Sequence, residues 1–532
     1  MTDATPPKAG RREWIGLSVL ALACLLYVMD LTVLHLAVPA LSADLQPTSA
    51  QLLWIIDIYG FMVAGFLITM GTLGDRIGRR RLLLVGATAF GAVSIMAAYS
   101  TSADMLILSR ALLGVAGATL APSTLSLIFS MFKDPQQRSR AIAIWISAFS
   151  AGGAIGPILG GVMLEYFWWG SVFLLAVPVM AALLILGPIV LPEYRDPQAG
   201  RLDLRSAGMS LVAVLAIIFG LKESAQDGFD VLPGLTIVVG VVAGVMFVRR
   251  QLSLADPMID VRLFRIPTFS ASLAVNFLAI FVAVGYFLFV AQYLQLVLGL
   301  SPLEAGLWSV PSAFGFVIGS NAAPRLVGRV RPAYVIGAGL GVAAVGLAVL
   351  AQVGGADGLA VVVAASIIIS LGFGPVFGLT TELIVGSAPA ERAGAASGIS
   401  ETASELGGAL GISILGSLGV ALYRSEVARD LPAGVPADVA ATARDTLGGA
   451  VGVALQLPAD VRTALLEVAQ GAFVHGMQVA AVISAVVATV VAVVAVTLLR
   501  NVGHDGPSEE PEVHFEAHGA PVPEVQAAPS VR

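Results

Sequence analysis

The sequence predicts an all-α membrane protein of fourteen spanning helices in a 6+2+6 arrangement. Three observations carry that expectation. The 532 residues are 57% hydrophobic and only 12% charged, with a mean hydropathy of +0.90, whereas soluble proteins carry roughly 25% charged residues. Fourteen apolar segments are long enough to cross a bilayer at about 1.5 Å rise per residue. They run over 14–38, 51–71, 82–100, 105–131, 140–165, 169–191, 206–223, 231–248, 269–297, 303–324, 333–353, 359–383, 395–423 and 472–499. The basic residues are also one-sided. With the N-terminus in the cytoplasm, 23 of the 29 lysines and arginines fall in cytoplasmic segments, so both termini are expected there.

Taken in order, residues 1–12 form a polar, basic cytoplasmic lead expected to be disordered, and 13–191 hold the first six spans. The first apolar run is too long for a signal peptide, so it is expected to remain. Residues 192–268 carry two extra spans between connectors that contain Pro and Asp, PEYRDPQAGRLD and ADPMIDVRLFRIP. Residues 269–500 hold the last six spans, including an extracellular stretch, 424–471, expected to fold as a short helical hairpin and to act as a cap or a binding element. The tail, 501–532, is rich in Pro, Glu and Ala and reads as disordered.

Composition excludes several classes of function. A formal charge of −6 argues against nucleic acid as a partner. The single cysteine, Cys24, leaves no disulfide framework or multi-cysteine metal site, and no histidine cluster suggests a metal. No paired nucleophile and base, no phosphate loop and no cofactor motif is visible. An enzyme is therefore not expected, and neither is ATP drive or a cofactor.

Charge inside the apolar segments carries the chemistry. Asp30 lies within the first span, where a carboxylate costs at least roughly 2.5–3.5 kcal/mol and so marks a functional group. Asp57 lies in the second span, and Glu401 and Glu405 stand one turn apart in the thirteenth. Two close carboxylates in low dielectric do not both ionise easily, which suits a proton carrier. These four are the candidate proton-coupling and cation-binding residues. Trp54, Tyr59, Tyr286 and Phe287 are the candidate aromatic ligand wall near these acids, since ring faces attract cations. Arg110 in the fourth span either snorkels to the surface or faces a cavity. His35, off the face of Asp30, reads as structural, and Glu382 as a solvated helix end.

Three motifs add specificity. The loop after the second span reads GTLGDRIGRRR (Gly71 to Arg81), the fifth span carries GGAIGPILGG (Gly152 to Gly161), and the fourth carries LILSRALLGVAGA. Glycines permit close helix approach and Pro157 removes a backbone bond. The loop resembles the signature of the major facilitator superfamily. Together with MDLTVLHLAVP and LLWIIDIYG, the chain resembles its fourteen-helix drug:proton antiporter family, the quaternary-ammonium and multidrug exporters. The likeness returns at QYLQLVLGLSPLEAG and AGAASGISETASELGGALG, and departs at Leu175-Ala176. No acid follows Glu304 in the tenth span, where some members carry one linked to divalent substrates.

The resemblance implies a cytoplasmic gate of Gly71, Asp75, Arg76, Gly78, Arg79 and Arg80, with Asp75 meeting a helix dipole of the opposite half in the outward-open state. It implies a proton-relay role for Arg110. It also implies an antiporter motif of Gly152, Gly156, Pro157, Gly160 and Gly161. The expected partners are small lipophilic cations, protons and membrane lipid, and a monomer is expected. Export of an endogenous metabolite, lipid or antibiotic, or a transport-dead receptor, are the rival readings.

Overall fold

The computed structural model describes residues 8–195, 203–227, 230–254, 257–327, 329–354, 358–388 and 393–500. The expectations for the first residues of the lead and for the tail, 501–532, lie outside them. The elements among the described residues are helical. The first eight are α1 (Arg11–Leu45), α2 (Ser49–Ile77), α3 (Arg79–Ala98), α4 (Ala103–Gly117), α5 (Leu120–Met131), α6 (Pro135–Tyr166), α7 (Ser171–Leu174) and α8 (Ala176–Val190). The middle pair is α9 (Leu204–Asp227) and α10 (Val231–Ser253). The rest are α11 (Pro267–Gln292), α12 (Pro302–Val327), α13 (Pro332–Leu350), α14 (Leu359–Gly386), α15 (Ala393–Asp430), α16 (Ala437–Asp445), α17 (Leu447–Ala454) and α18 (Ala459–Leu498).

Eleven helical stretches among the described residues are long and apolar enough to cross a membrane, with α6, α9 and α12 outside that number. Starts follow local chemistry. Thr48 caps α2 by accepting from Gln51 N while the Gln51 side chain answers the Thr48 amide, and Asp134 with Pro135 starts α6. Two apolar runs are broken: 105–131 divides into α4 and α5, and 169–191 into α7 and α8. The stretch 424–471 also differs from a separate hairpin. α15 continues to Asp430, α18 begins at Ala459, and only α16 and α17 lie between. The reason is apolar burial: Leu465, Ala469 and Ala472 are buried within the second bundle, so the helix continues instead of turning back.

The buried apolar side chains form two large cores, one drawn from α1–α8 and one mainly from α11–α18. We call the end holding Arg11 and Leu498 the near face and the end holding Leu45 and Ser49 the far face. At the far face the bundles lock together. Gln295 Nε2 donates to Leu36 O at 3.0 Å and Ser49 Oγ donates to Asp445 O at 2.5 Å. A Cβ placed on Gly161 would stand 2.8 Å from Pro302 O, and Gly306 faces the Pro157 carbonyl as tightly. At the near face a cavity of about 580 Å³ separates α2 and α5 from the start of α15.

The α9–α10 pair lies against the seam between α2 and α15. Phe219 stacks on Trp54 with centroids 6.1 Å apart, and Ile218 packs with Phe61 and Ala409. Val238, Val242 and Val245 of α10 stay exposed, an apolar face suited to lipid. Near the near face, Arg250 donates to both Asp203 oxygens at 2.7 and 3.0 Å, and Gln251 joins Ser206 to the amide of Met258. The Arg250 guanidinium holds the Asp203 carboxyl well below the usual carboxylate range.

Two outcomes follow. A carboxyl held low stabilises the fold above its unfolded value of about 3.9, and that contribution is lost as pH falls through the lower folded value. Asp203→Asn should therefore lower the thermal midpoint in detergent by a few degrees at pH 7, with the gap constant from about pH 5 to 8 and closing below about pH 4. Gly306→Val should crowd the far-face seal at a cost of about 1–3 kcal/mol. A Ser397→Cys reporter on the near-face cavity should then react several-fold more slowly with an impermeant maleimide.

Candidate functional site

Beneath the far-face seal, the two bundles enclose a cavity of about 530 Å³. From the first bundle, α1 contributes Val28, Thr32 and His35, α2 contributes Asp57 and Gly60, and α6 contributes Gly153 and Pro157. From the second, α11 supplies Tyr286 and Phe287, α14 supplies Phe373 and Phe377, and α15 supplies Ser404 and Glu405. Asp57 is 1% exposed, and the Tyr27 hydroxyl donates to Glu405 Oε1 at 2.5 Å.

Arg110 has no exposed surface, and its Nη1 donates to Asp30 Oδ2 at 2.5 Å. Its Nε donates to Ile55 O at 3.2 Å, and its guanidinium lies 4.7 Å from the centroid of the Tyr59 ring. Arg110 belongs to the lining of the central cavity, whereas Asp30 lines a small void beside Phe173 and Ala176. From the first span, Val28, Thr32, Leu34, His35 and Leu36 line the cavity, so His35, expected to be structural, stands at its wall.

Glu401 and Glu405 occupy one helix face but open into different spaces, Glu401 into the near-face cavity and Glu405 into the central one. The aromatic candidates also divide. Tyr286 and Phe287 line the central cavity and touch each other at 4.4 Å between centroids. Trp54 points to Phe219 of α9 and Tyr59 lies under Arg110, so neither lines it. The cause is geometric: at about 100° per residue, α2 sends 54, 57 and 59 toward three different neighbours.

Of the residues expected to form a gate, Asp75, Arg79 and Arg80 make contacts within the first bundle. Asp75 accepts from Arg79 Nε at 2.7 Å, and Arg79 Nη1 donates to Pro122 O. The Arg80 amide donates to Glu193 Oε1, and the Arg80 and Arg81 side chains pair with Glu193. Gly78 makes this turn with φ of 110°, a value that favours glycine. Gly71 and Asp75 face the near-face cavity toward Ser397 and Glu401, and Arg76 is half-buried beside them. Glu193 was not expected; an acid ending the sixth span, beside the arginine cluster, was the available signal.

The glycine motif of α6 serves two interfaces. Gly152, Gly156 and Gly160 press on Leu25, Thr32 and Val33 of α1, while Pro157 and Gly161 press on α12. Two helical bundles, a largely apolar cavity with a few acids at their seam and a seal on one face suit a secondary transporter, not an enzyme. A family model described as the Major Facilitator Superfamily matches residues 20–412. The multidrug efflux pump LfrA of Mycolicibacterium smegmatis is 44% identical over 91% of this chain and 95% of its own. The methyl viologen resistance protein SmvA of Salmonella typhimurium is 37% identical over 88% and 94%. A solved bacterial homolog of the human lysosomal transporter Spinster, inward-facing and unoccupied, shares the fold with a TM-score of 0.63 at 18% identity, covering 92% of this chain and 99% of that one. The chain belongs to the major facilitator superfamily, in its drug:proton antiporter group, and is a multi-pass protein of the bacterial inner membrane.

Removing one partner of a buried ion pair strands the other, a loss of about 3–5 kcal/mol. Arg110→Ala should lower the thermal midpoint sharply and abolish transport. Asp30→Leu combined with Arg110→Met should regain most of the midpoint without regaining transport, because an apolar pair satisfies packing but does not replace the charges.

Proposed function

We propose that this protein exports lipophilic cations, including quaternary ammonium compounds and dyes, in exchange for protons by alternating access. The near face lies in the cytoplasm, in keeping with the excess of arginine on its loops. The observation that carries this reading is one cavity holding two carboxylates, Asp57 and Glu405, beside the aromatic rings of Tyr286, Phe287, Phe373 and Phe377. Carboxylates supply charge, and ring faces attract a desolvated cation.

A cation arriving from the cytoplasm passes the near-face cavity at Glu401 and reaches Glu405 one turn deeper. It competes there with protons for the same oxygens. When the far-face seal opens, protons from outside reload the carboxylates and the cation leaves. Exchange of one proton for one monovalent cation moves no net charge. A second proton would add about 2.3 kcal/mol per 100 mV of membrane potential. Arg110, neutralised by Asp30, shapes the field on the α4 side and keeps the competition at Asp57 and Glu405. The names of the relatives support efflux of drugs, and two acids in one cavity give a dication such as methyl viologen two partners.

The test is proton release from purified protein on titration with tetraphenylphosphonium. Wild type should release protons on binding, and Asp57→Asn or Glu405→Gln should reduce the release several-fold. Tight cation binding with unchanged release in both variants would refute the competition.

A further inference from the structure

The part of the cavity wall built by α11, α12 and α14 carries hydroxyl groups in place of charge: Tyr286, Ser309, Ser312, Ser366 and Ser370. Ser309 and Ser312 donate to the carbonyls of Ala305 and Ser309 at 2.8 and 2.7 Å, which leaves their oxygens as acceptors. The Tyr286 hydroxyl lies close enough to Ser366 and Ser370 for loose, poorly aligned hydrogen bonds to them. Neither it nor Ser366 Oγ meets a partner in hydrogen-bonding geometry, although the two residues are only 4% and 7% exposed. Buried hydroxyls are normally satisfied, and leaving two unmade in one place is a cost that a bound group can offset. Flat rings flank them: Phe373 and Phe377 stack at 5.4 Å between centroids with only 3° between planes.

We propose that these hydroxyls form a subsite for an aromatic hydroxyl group, so that the preferred cargo is a cation carrying a phenol. This rests on the cation-export reading and deepens it. A phenol fits because it both donates and accepts. Its O–H meets an acceptor such as Ser309 or Ser312, and its oxygen accepts from Tyr286 or Ser366. The ring that bears it lies against Phe373 and Phe377, while the charged centre faces Asp57 and Glu405. Because the wall at Tyr286 and the serines holds no carboxylate or base, selection there is by hydrogen bonding and survives when charge is held constant.

A matched pair of ligands tests this: tetraphenylphosphonium and (3-hydroxyphenyl)triphenylphosphonium, titrated calorimetrically into the full-length protein in detergent. The two differ by one hydroxyl. Wild type should bind the phenol about three- to tenfold more tightly, the value of one buried neutral hydrogen bond. Ser366→Ala and Tyr286→Phe should each bring that ratio toward one, and Ser366→Thr, which keeps the hydroxyl, should restore it. Equal affinities in wild type, or a ratio unmoved by both substitutions, would overturn the subsite while leaving cation export standing. If neither cation binds, the export reading falls, and 2-hydroxyanthraquinone against anthraquinone then decides the subsite. A wild-type preference for the hydroxylated ring that Ser366→Ala removes upholds it, and no preference overturns it.

Discussion

A guanidinium with no contact to water has to be answered from within the protein, and the first bundle is arranged around that requirement. Arg110 is met by Asp30 from α1, by the Ile55 carbonyl from α2 and by the face of Tyr59. These contacts tie three helices together at one depth. They also decide what the cavity displays. With Asp30 spent on the arginine, the acids left facing the central space are Asp57 and Glu405. A buried pair of this kind contributes little net stability, since desolvation consumes most of its attraction. Its larger effect is to fix the relative position of α1, α2 and α4.

The glycines of α6 supply the second constraint. One row lets α1 approach to backbone distance, and a neighbouring position does the same for α12 across the seam. The same helix is thus fastened inside its own bundle and also makes the far-face seal. Close packing of small residues gives van der Waals contact without side-chain entropy to lose, so such a seal holds tightly. Among the described residues the near face has no equivalent row, and there the space between Asp75 and Glu401 is a cavity.

The α9–α10 pair explains how a two-bundle machine accepts two additional helices. α9 covers the junction of α2 and α15, the helices that carry Asp57 and Glu405. α10 turns its valines outward to lipid, and the Asp203–Arg250 pair holds the near-face end. The acids therefore sit behind a layer of apolar side chains, which preserves a low dielectric around them.

Much of this was legible in the chain. Hydropathy found the helical segments because backbone groups in lipid must be satisfied within the helix, so each span has to be a long apolar run. The glycine and arginine motifs were visible because close approach and a left-handed turn at Gly78 admit few residues. The acids were visible because charge in an apolar run is expensive. The direction in which each side chain points was not legible. Asp30 and Asp57 look equivalent in sequence, yet one is consumed by Arg110 and the other faces the cavity. Trp54 and Tyr59 look like wall residues but serve α9 and Arg110. Ser366, Ser370 and His35 gave no signal, since single hydroxyls and a lone imidazole in apolar helices are commonplace. The helices, their membrane setting and the cost of their charges follow from the order of residues alone, because those depend on local composition. Only the tertiary structure decided which charges cancel and which polar groups share a space, because that depends on the rotation of each helix against its neighbours.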